Sequence, residues 1–197
     1  MDILKNLVFV GAAIQAWGIF IYIRSMLKGQ ARPNKVSWLL WSVAPLIGTA
    51  AAVSAGVRWS ILPVFMSGFG PLLTLVISFA VPQAYWKADP FDYLCGLFSL
   101  LALMLWIITK DPIVALTLSI ISDAFAGIPT LIKTWKYPET ENVNTYALGL
   151  ISYFLSLFAI ERWNFTSYAF TFYLILMNIL LVSAGYRKVL FRNYATK

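Results

Sequence analysis

The chain has 197 residues, of which 60% are hydrophobic and only 12% charged, with a formal net charge of +7 and a mean hydropathy of +0.77. A soluble domain carries about twice that charged fraction, and the apolar residues show no regular polar face, so the composition points to an all-α integral membrane protein with almost no extramembrane domain. The lone cysteine, Cys95, excludes an intrachain disulfide, and the absence of histidine argues against haem, zinc-protease and Ser-His-Asp chemistry.

A span needs about 20 mostly apolar residues. Seven segments meet that requirement: 3–27, 36–56, 59–82, 91–109, 112–136, 143–162 and 165–188. The first is too long for a signal-peptide core and lacks a small-x-small cleavage site, so it reads as a retained span. Gln15 lies in its middle, between Gly11 and Gly18. The second span carries Trp41 one turn inside its start, then Pro45; the third carries Pro71 and Thr74. Pro33, Pro90, Pro112 and Pro138 mark boundaries, as prolines do where helices start or stop.

The fifth span holds the strongest chemical signal. Asp123 sits near its middle, and Pro129 follows six residues later. A carboxyl at membrane depth is costly unless paired, hydrated or protonated, so by default it marks function. We expect it to bind a solute or carry a proton. Its alternative is a structural carboxyl bonded to Gln15 or a serine. Ser119, Ser122, Gly127 and Thr130 share its helical face, either towards a cavity or as helix–helix contacts. Ser152 and Ser156 in the sixth span and Asn178 in the seventh complete the polar candidates. Mid-span amides can donate and accept, which suits a solute hydroxyl, but they also serve as glue between helices. Pro45, Pro71 and Pro129 are candidate hinges, or else static kinks.

Basic residues give a direction. Lys5, Arg58, Lys110 and Arg162 fall on one side, and the other 11 of the 15 fall opposite. By the positive-inside rule the N-terminus is outside and the C-terminus cytoplasmic. The basic residues flank spans instead of covering one domain face, so no nucleic-acid role is expected. Trp38, Trp59, Trp86, Trp135 and Trp163 lie near span ends and read as an aromatic belt; Trp17, Trp41 and Trp106 lie deeper. Trp41 is a candidate for closing the cytoplasmic end of a pocket.

The chain also repeats. A shift of 108 positions pairs Gln15 with Asp123, Asn34 with Asn142 and Trp38 with Tyr146. A shift of 104 pairs Arg58-Trp59-Ser60 with Arg162-Trp163-Asn164 and Thr74 with Asn178. We therefore read a first three-helix bundle over 1–83, a linking helix over 84–110, and a second bundle with a short basic tail over 111–197. An odd number of spans per unit needs such a linker to keep the repeats parallel.

With 3+1+3 spans, and with Gly127-Ile128-Pro129-Thr130 followed by the basic Lys133 and Lys136, the chain resembles the SWEET and PQ-loop transporter superfamily. Thr130 stands where the family has glutamine, and Ile21 stands where the first half has proline. In sugar-transporting members a pocket asparagine follows the proline by about 50 residues, the place of Asn178, with Thr74 in the first half. The resemblance implies alternating-access transport of a small polar solute, a sugar first, with Asp123 as a proton link. It implies substrate contacts from Asn178, Gln15, Thr74, Trp41 and Ser156, no cofactor or metal, and a prokaryotic inner-membrane setting. Its partners would be lipid, the solute and, in some members, further copies of the chain. Other readings are an amino-acid or vitamin carrier and a receptor, for which the loop from Tyr137 to Asn144, with Glu139 and Glu141, is the candidate partner surface. A retinal protein would need a lysine midway along span 7, and there is none before Lys188. An enzyme is not expected, because a lone carboxylate offers no acid–base pair.

Overall fold

The structure is a computed structural model, described here over residues 2–82, 86–109 and 111–192. The described residues form seven α-helices and two short 3-10 turns, with no strand among them: α1 Asp2–Leu27, α2 Lys35–Ser54, α3 Leu62–Ser78, α4 Pro90–Thr109, α5 Pro112–Lys136, α6 Val143–Leu157 and α7 Phe165–Arg192. The 3-10 turns are Trp59–Ile61 and Pro138–Thr140.

Local chemistry sets the helix ends. Asn34 caps α2, its Oδ1 accepting from the amides of Val36 (3.1 Å) and Ser37 (3.4 Å). Asp111 does the same for α5, accepting from Ile113 and Val114 at 2.8 and 3.0 Å, with Pro112 in the first helical position. Asp89 and Asp92 bond each other's backbone amides at 3.0 Å and start α4. Gly29 ends α1 at φ 71° and Gly56 follows α2 at φ 86°, a backbone region open to glycine at little cost.

Two helices stop sooner than hydropathy predicts. The third span was expected to reach 82, but α3 ends at Ser78; the sixth was expected to reach 162, but α6 ends at Leu157. In each case a serine turns back on the helix: Ser78 Oγ donates to Leu75 O and Ser156 Oγ to Tyr153 O, both at 2.7 Å. Such bonds compete with helix propagation, and an apolar sequence carries on past them. α7 runs beyond the expected 188 to Arg192, because Lys and Arg end an apolar run without disfavouring a helix.

Segments 6–27, 35–54, 59–78, 112–136 and 165–187 are long and apolar enough to cross a membrane, and α4 and α6 supply shorter apolar stretches. Large apolar side chains face outward, among them Leu94, Leu97, Leu101, Leu105 and Ile108 along α4. An apolar exterior of that extent is compatible with a helical membrane protein.

The packing order is specific. α3 packs on both α1 and α2, and α7 packs on both α5 and α6. α2 lies along α5, α1 lies along α6, and α4 lies on α5 and touches α2. Two apolar clusters stack along this assembly. One contains Tyr22, Met26, Trp38, Trp41, Met177 and Leu181. The other contains Val57, Ile61, Val64, Tyr153, Phe170 and Leu174.

Candidate functional site

Between the two clusters lies a cavity of about 80 Å³. Its walls come from both clusters, from α1, α2, α3, α5, α6 and α7. Gln15, Trp41, Pro71, Thr74, Asp123 and Asn178 all line it. The paired positions of the repeat thus meet at one place: Gln15 with Asp123, Trp38 with Tyr146, and Thr74 with Asn178.

Asp123 is 2% exposed. Its Oδ2 accepts from Tyr173 Oη at 2.8 Å, its backbone carbonyl accepts from Trp41 Nε1 at 3.2 Å, and its Oδ1 has no hydrogen-bond partner among the described residues. The bond from Trp41 fixes the indole beside the acid. Among the described residues neither lysine nor arginine lines the cavity. Trp38 Nε1 is likewise buried without a partner.

Gln15 is held more tightly. In the orientation that matches donors to acceptors, its amide oxygen accepts from Tyr153 Oη (3.0 Å) and the Ser67 amide (3.3 Å). Its nitrogen donates to Ser152 Oγ (3.1 Å) and Pro63 O (3.2 Å). Gln15 therefore ties α1 to α3 and α6 and does not bond Asp123. Thr74 Oγ1 donates to Gly70 O at 3.0 Å, and Asn178 Nδ2 donates to Leu174 O at 2.8 Å, each within its own helix. Asn178 Oδ1 faces Gly149, where an added Cβ would come within 3.2 Å.

Several expected residues lie elsewhere. Ser156 is buried and bonded to Tyr153 O, away from the cavity wall, because α6 is already ending there. Pro45 and Pro129 sit inside α2 and α5 but do not line the cavity. Of the stripe around Asp123, Ser122 meets Ser99 of α4, Oγ to Oγ at 2.6 Å, and Gly127 admits Met177 and Trp41. That stripe is a packing contact, with Asp123 its one member on the cavity. Trp38, expected in an aromatic belt, is 4% exposed and forms a wall instead, tilted against Tyr22 at 4.4 Å between ring centres. Trp17, well inside α1, faces outward beside Phe20. The side chain of Trp106 lies outside the described residues.

A second constellation sits at the end of the assembly that carries the 28–34 and 137–142 loops. Lys133 Nζ pairs with Glu141 Oε1 at 2.5 Å and also donates to Arg32 O. Glu141 Oε2 accepts from Tyr22 Oη at 3.0 Å and Tyr146 Oη at 2.8 Å. The lysine side chain is 2% exposed and the glutamate side chain 0%. Trp86 covers the ammonium, 4.8 Å from its ring centre. Glu141 is therefore no partner surface: its charge is consumed inside the fold. It joins α1, α5, α6 and the α1–α2 loop in one network. Tyr22 and Tyr146 also line the central cavity, while Glu141 lines a surface depression of about 400 Å³ on its other side. A single layer of side chains separates the two. Sequence reasoning missed this layer, whose only advance sign is an acid in a short loop eight residues after a lysine.

The opposite end carries a larger hollow of about 490 Å³, rimmed by Asn6, Gly56, Arg58, Trp59, Arg162 and Asn164. Val57, Ile61, Val64 and Phe170 of the second cluster pack beneath it. Among the described residues no group of three or more Cys, Asp or Glu is placed to hold a metal. Comparison of the chain with protein-family models, with curated proteins and with solved structures finds no match.

Proposed function

We propose that the protein is a carrier of a small polar solute, working by alternating access from the cavity at Asp123. The observation that carries this reading is the meeting of Gln15, Thr74, Asp123 and Asn178, polar groups from four helices, on one internal cavity. A mostly apolar and aromatic pocket with a few convergent polar groups is the ordinary make-up of a small-molecule site. The α1–α3 and α5–α7 groups act as two bundles with α4 as the linker, in seven spans with the N-terminus outside. Three features support that arrangement: the matched packing of α3 and α7, the repeat, and the distribution of basic residues.

Each end has its own gate. The Lys133–Glu141 network with Tyr22 and Tyr146 closes the basic end, and the apolar layer around Ile61 and Val64 closes the other. Rocking of the bundles exchanges which layer is intact, with Pro45, Pro71 and Pro129 as points where a backbone bond is already missing. The family resemblance adds a sugar as the solute class and Asp123 as a proton link in an inner membrane.

Flux into proteoliposomes tests the reading. Sugars, amino acids and small amines are offered singly, with the wild-type protein and with Asn178→Ala and Asp123→Asn. We expect saturable uptake of one class, reduced at least about tenfold in both variants, the factor corresponding to loss of one good polar contact. A proton link predicts a pH optimum that Asp123→Asn removes. Folded protein that moves none of these solutes overturns the carrier reading.

A further inference from the structure

We infer that the solute is a small organic ammonium ion, bound beside Asp123 in the cavity walled by the rings of Trp38, Trp41, Tyr22 and Tyr146. The inference rests on the carrier reading and adds the charge and shape of what is carried. Its starting point is an imbalance. Asp123 is buried on the cavity wall, yet among the described residues one of its two oxygens has no partner and no cationic side chain shares the cavity. Glu141, a short way off, has both oxygens satisfied, by one ammonium and two hydroxyls. The two buried carboxylates of this half of the chain are thus treated in opposite ways. Glu141 brings its own cation, and Asp123 is left without one.

The rest of the wall fits a cation that is not a metal ion. Five aromatic rings line the space, those of Tyr22, Trp38, Trp41, Tyr146 and Tyr153, three of them linked: Tyr22 lies 4.4 Å from Trp38, and Trp38 lies 6.0 Å from Trp41 at 65°. Ring faces attract a positive charge, and a cage of them selects alkylammonium groups, whose methyls they also bury. A bare metal ion asks instead for several oxygens, and the cavity presents a single carboxylate. Trp38 Nε1, a buried donor without a partner, suits a hydroxyl on the same solute. Hydroxyl and ammonium on one short chain describe a choline-like ion. A neutral sugar gives the rings no charge to bind.

The test measures binding to the full-length protein in detergent by thermal shift and calorimetry. The probes are choline, tetramethylammonium, 3,3-dimethylbutan-1-ol (the uncharged isostere of choline), glucose and sodium chloride. A ligand that binds only the folded state raises the melting temperature by mass action. We expect choline to bind at least about tenfold more tightly than its neutral isostere, the preference that one ring–cation contact together with a carboxylate provides. Asp123→Asn removes the preference. Should that variant fail to fold, Trp38→Leu keeps the charge and removes a ring; it weakens choline more than 3,3-dimethylbutan-1-ol. Equal binding of choline and its isostere, choline affinity unchanged in folded Asp123→Asn, or a response to sodium alone overturns the inference. If glucose binds and choline does not, the ammonium inference fails and the carrier reading stands. If none of the probes binds and the flux assay is also silent, both fail.

Discussion

The two ends of this molecule are shut by different physics. At the basic end the layer is polar and directional: one ion pair and two tyrosine hydroxyls converge on Glu141 from α1, α5 and α6. At the other end it is apolar and non-directional, with Val57, Ile61, Val64 and Phe170 packed under a solvent-open hollow. A buried ion pair gains its energy only at excellent geometry, and a broken one leaves an uncompensated charge. Such a contact is either made or lost. Apolar side chains can slide and repack at small cost. On the carrier reading proposed above, the ionic layer works as a latch with two states, and the apolar layer as a seal that adapts. The repeat makes the asymmetry plain, since the shift that pairs Gln15 with Asp123 sets Ser25 opposite Lys133 and Pro33 opposite Glu141. The ion pair comes from the second half alone, and Tyr22 and the Arg32 carbonyl join it from the first.

The largest effect should come from breaking the latch on one side only. Lys133→Met leaves Glu141 charged and buried, and should cost about 3–5 kcal/mol by denaturation in detergent. The double variant Lys133→Met with Glu141→Gln should recover most of that loss. A single variant as stable as wild type would show that the pair is not what holds this end. Next come the hydroxyls. Tyr22→Phe and Tyr146→Phe each remove a hydrogen bond to a buried carboxylate and should each cost about 1.5–3 kcal/mol. Additive losses in the double variant would mean that the two tyrosines act independently on Glu141; coupling would mark a shared network.

At the opposite end the expected effects are smaller. Ile61→Val trims a buried methylene and should cost about 1 kcal/mol, with no change in cavity access. Arg58→Ala, on the exposed rim, should stay within about 0.5 kcal/mol of wild type. A loss there as large as that of Lys133→Met would erase the contrast between the ends.

The helices were legible because apolar runs of this length have few other uses. So were the polar groups of the cavity. Gln15, Thr74, Asp123 and Asn178 are conspicuous because each is polar in the middle of a span, and an apolar sequence has little reason to keep them. The aromatic walls were not legible. Trp38 and Tyr22 sit in runs where an aromatic side chain facing lipid and one facing a cavity have the same neighbours in sequence. The latch stayed hidden for a related reason. Lys133 counted as one basic residue among 11 on its side, and the rule that uses that count ignores what each lysine touches. Ser156 misled in the other direction, because a serine near a helix end serves the backbone as readily as a cavity.

The central claim is that Glu141 separates the cavity from the basic end. The direct measurement places a single cysteine at Met177, on the cavity wall, in a Cys95→Ala background. Its reaction with a membrane-impermeant thiol reagent is timed in vesicles of both orientations, with and without Glu141→Gln. The account predicts that Glu141→Gln speeds labelling from the basic end by at least about tenfold, the factor expected when a closed state is destabilised by roughly 1.4 kcal/mol, and leaves labelling from the other end unchanged. Equal rates from the basic end with and without Glu141→Gln would contradict it.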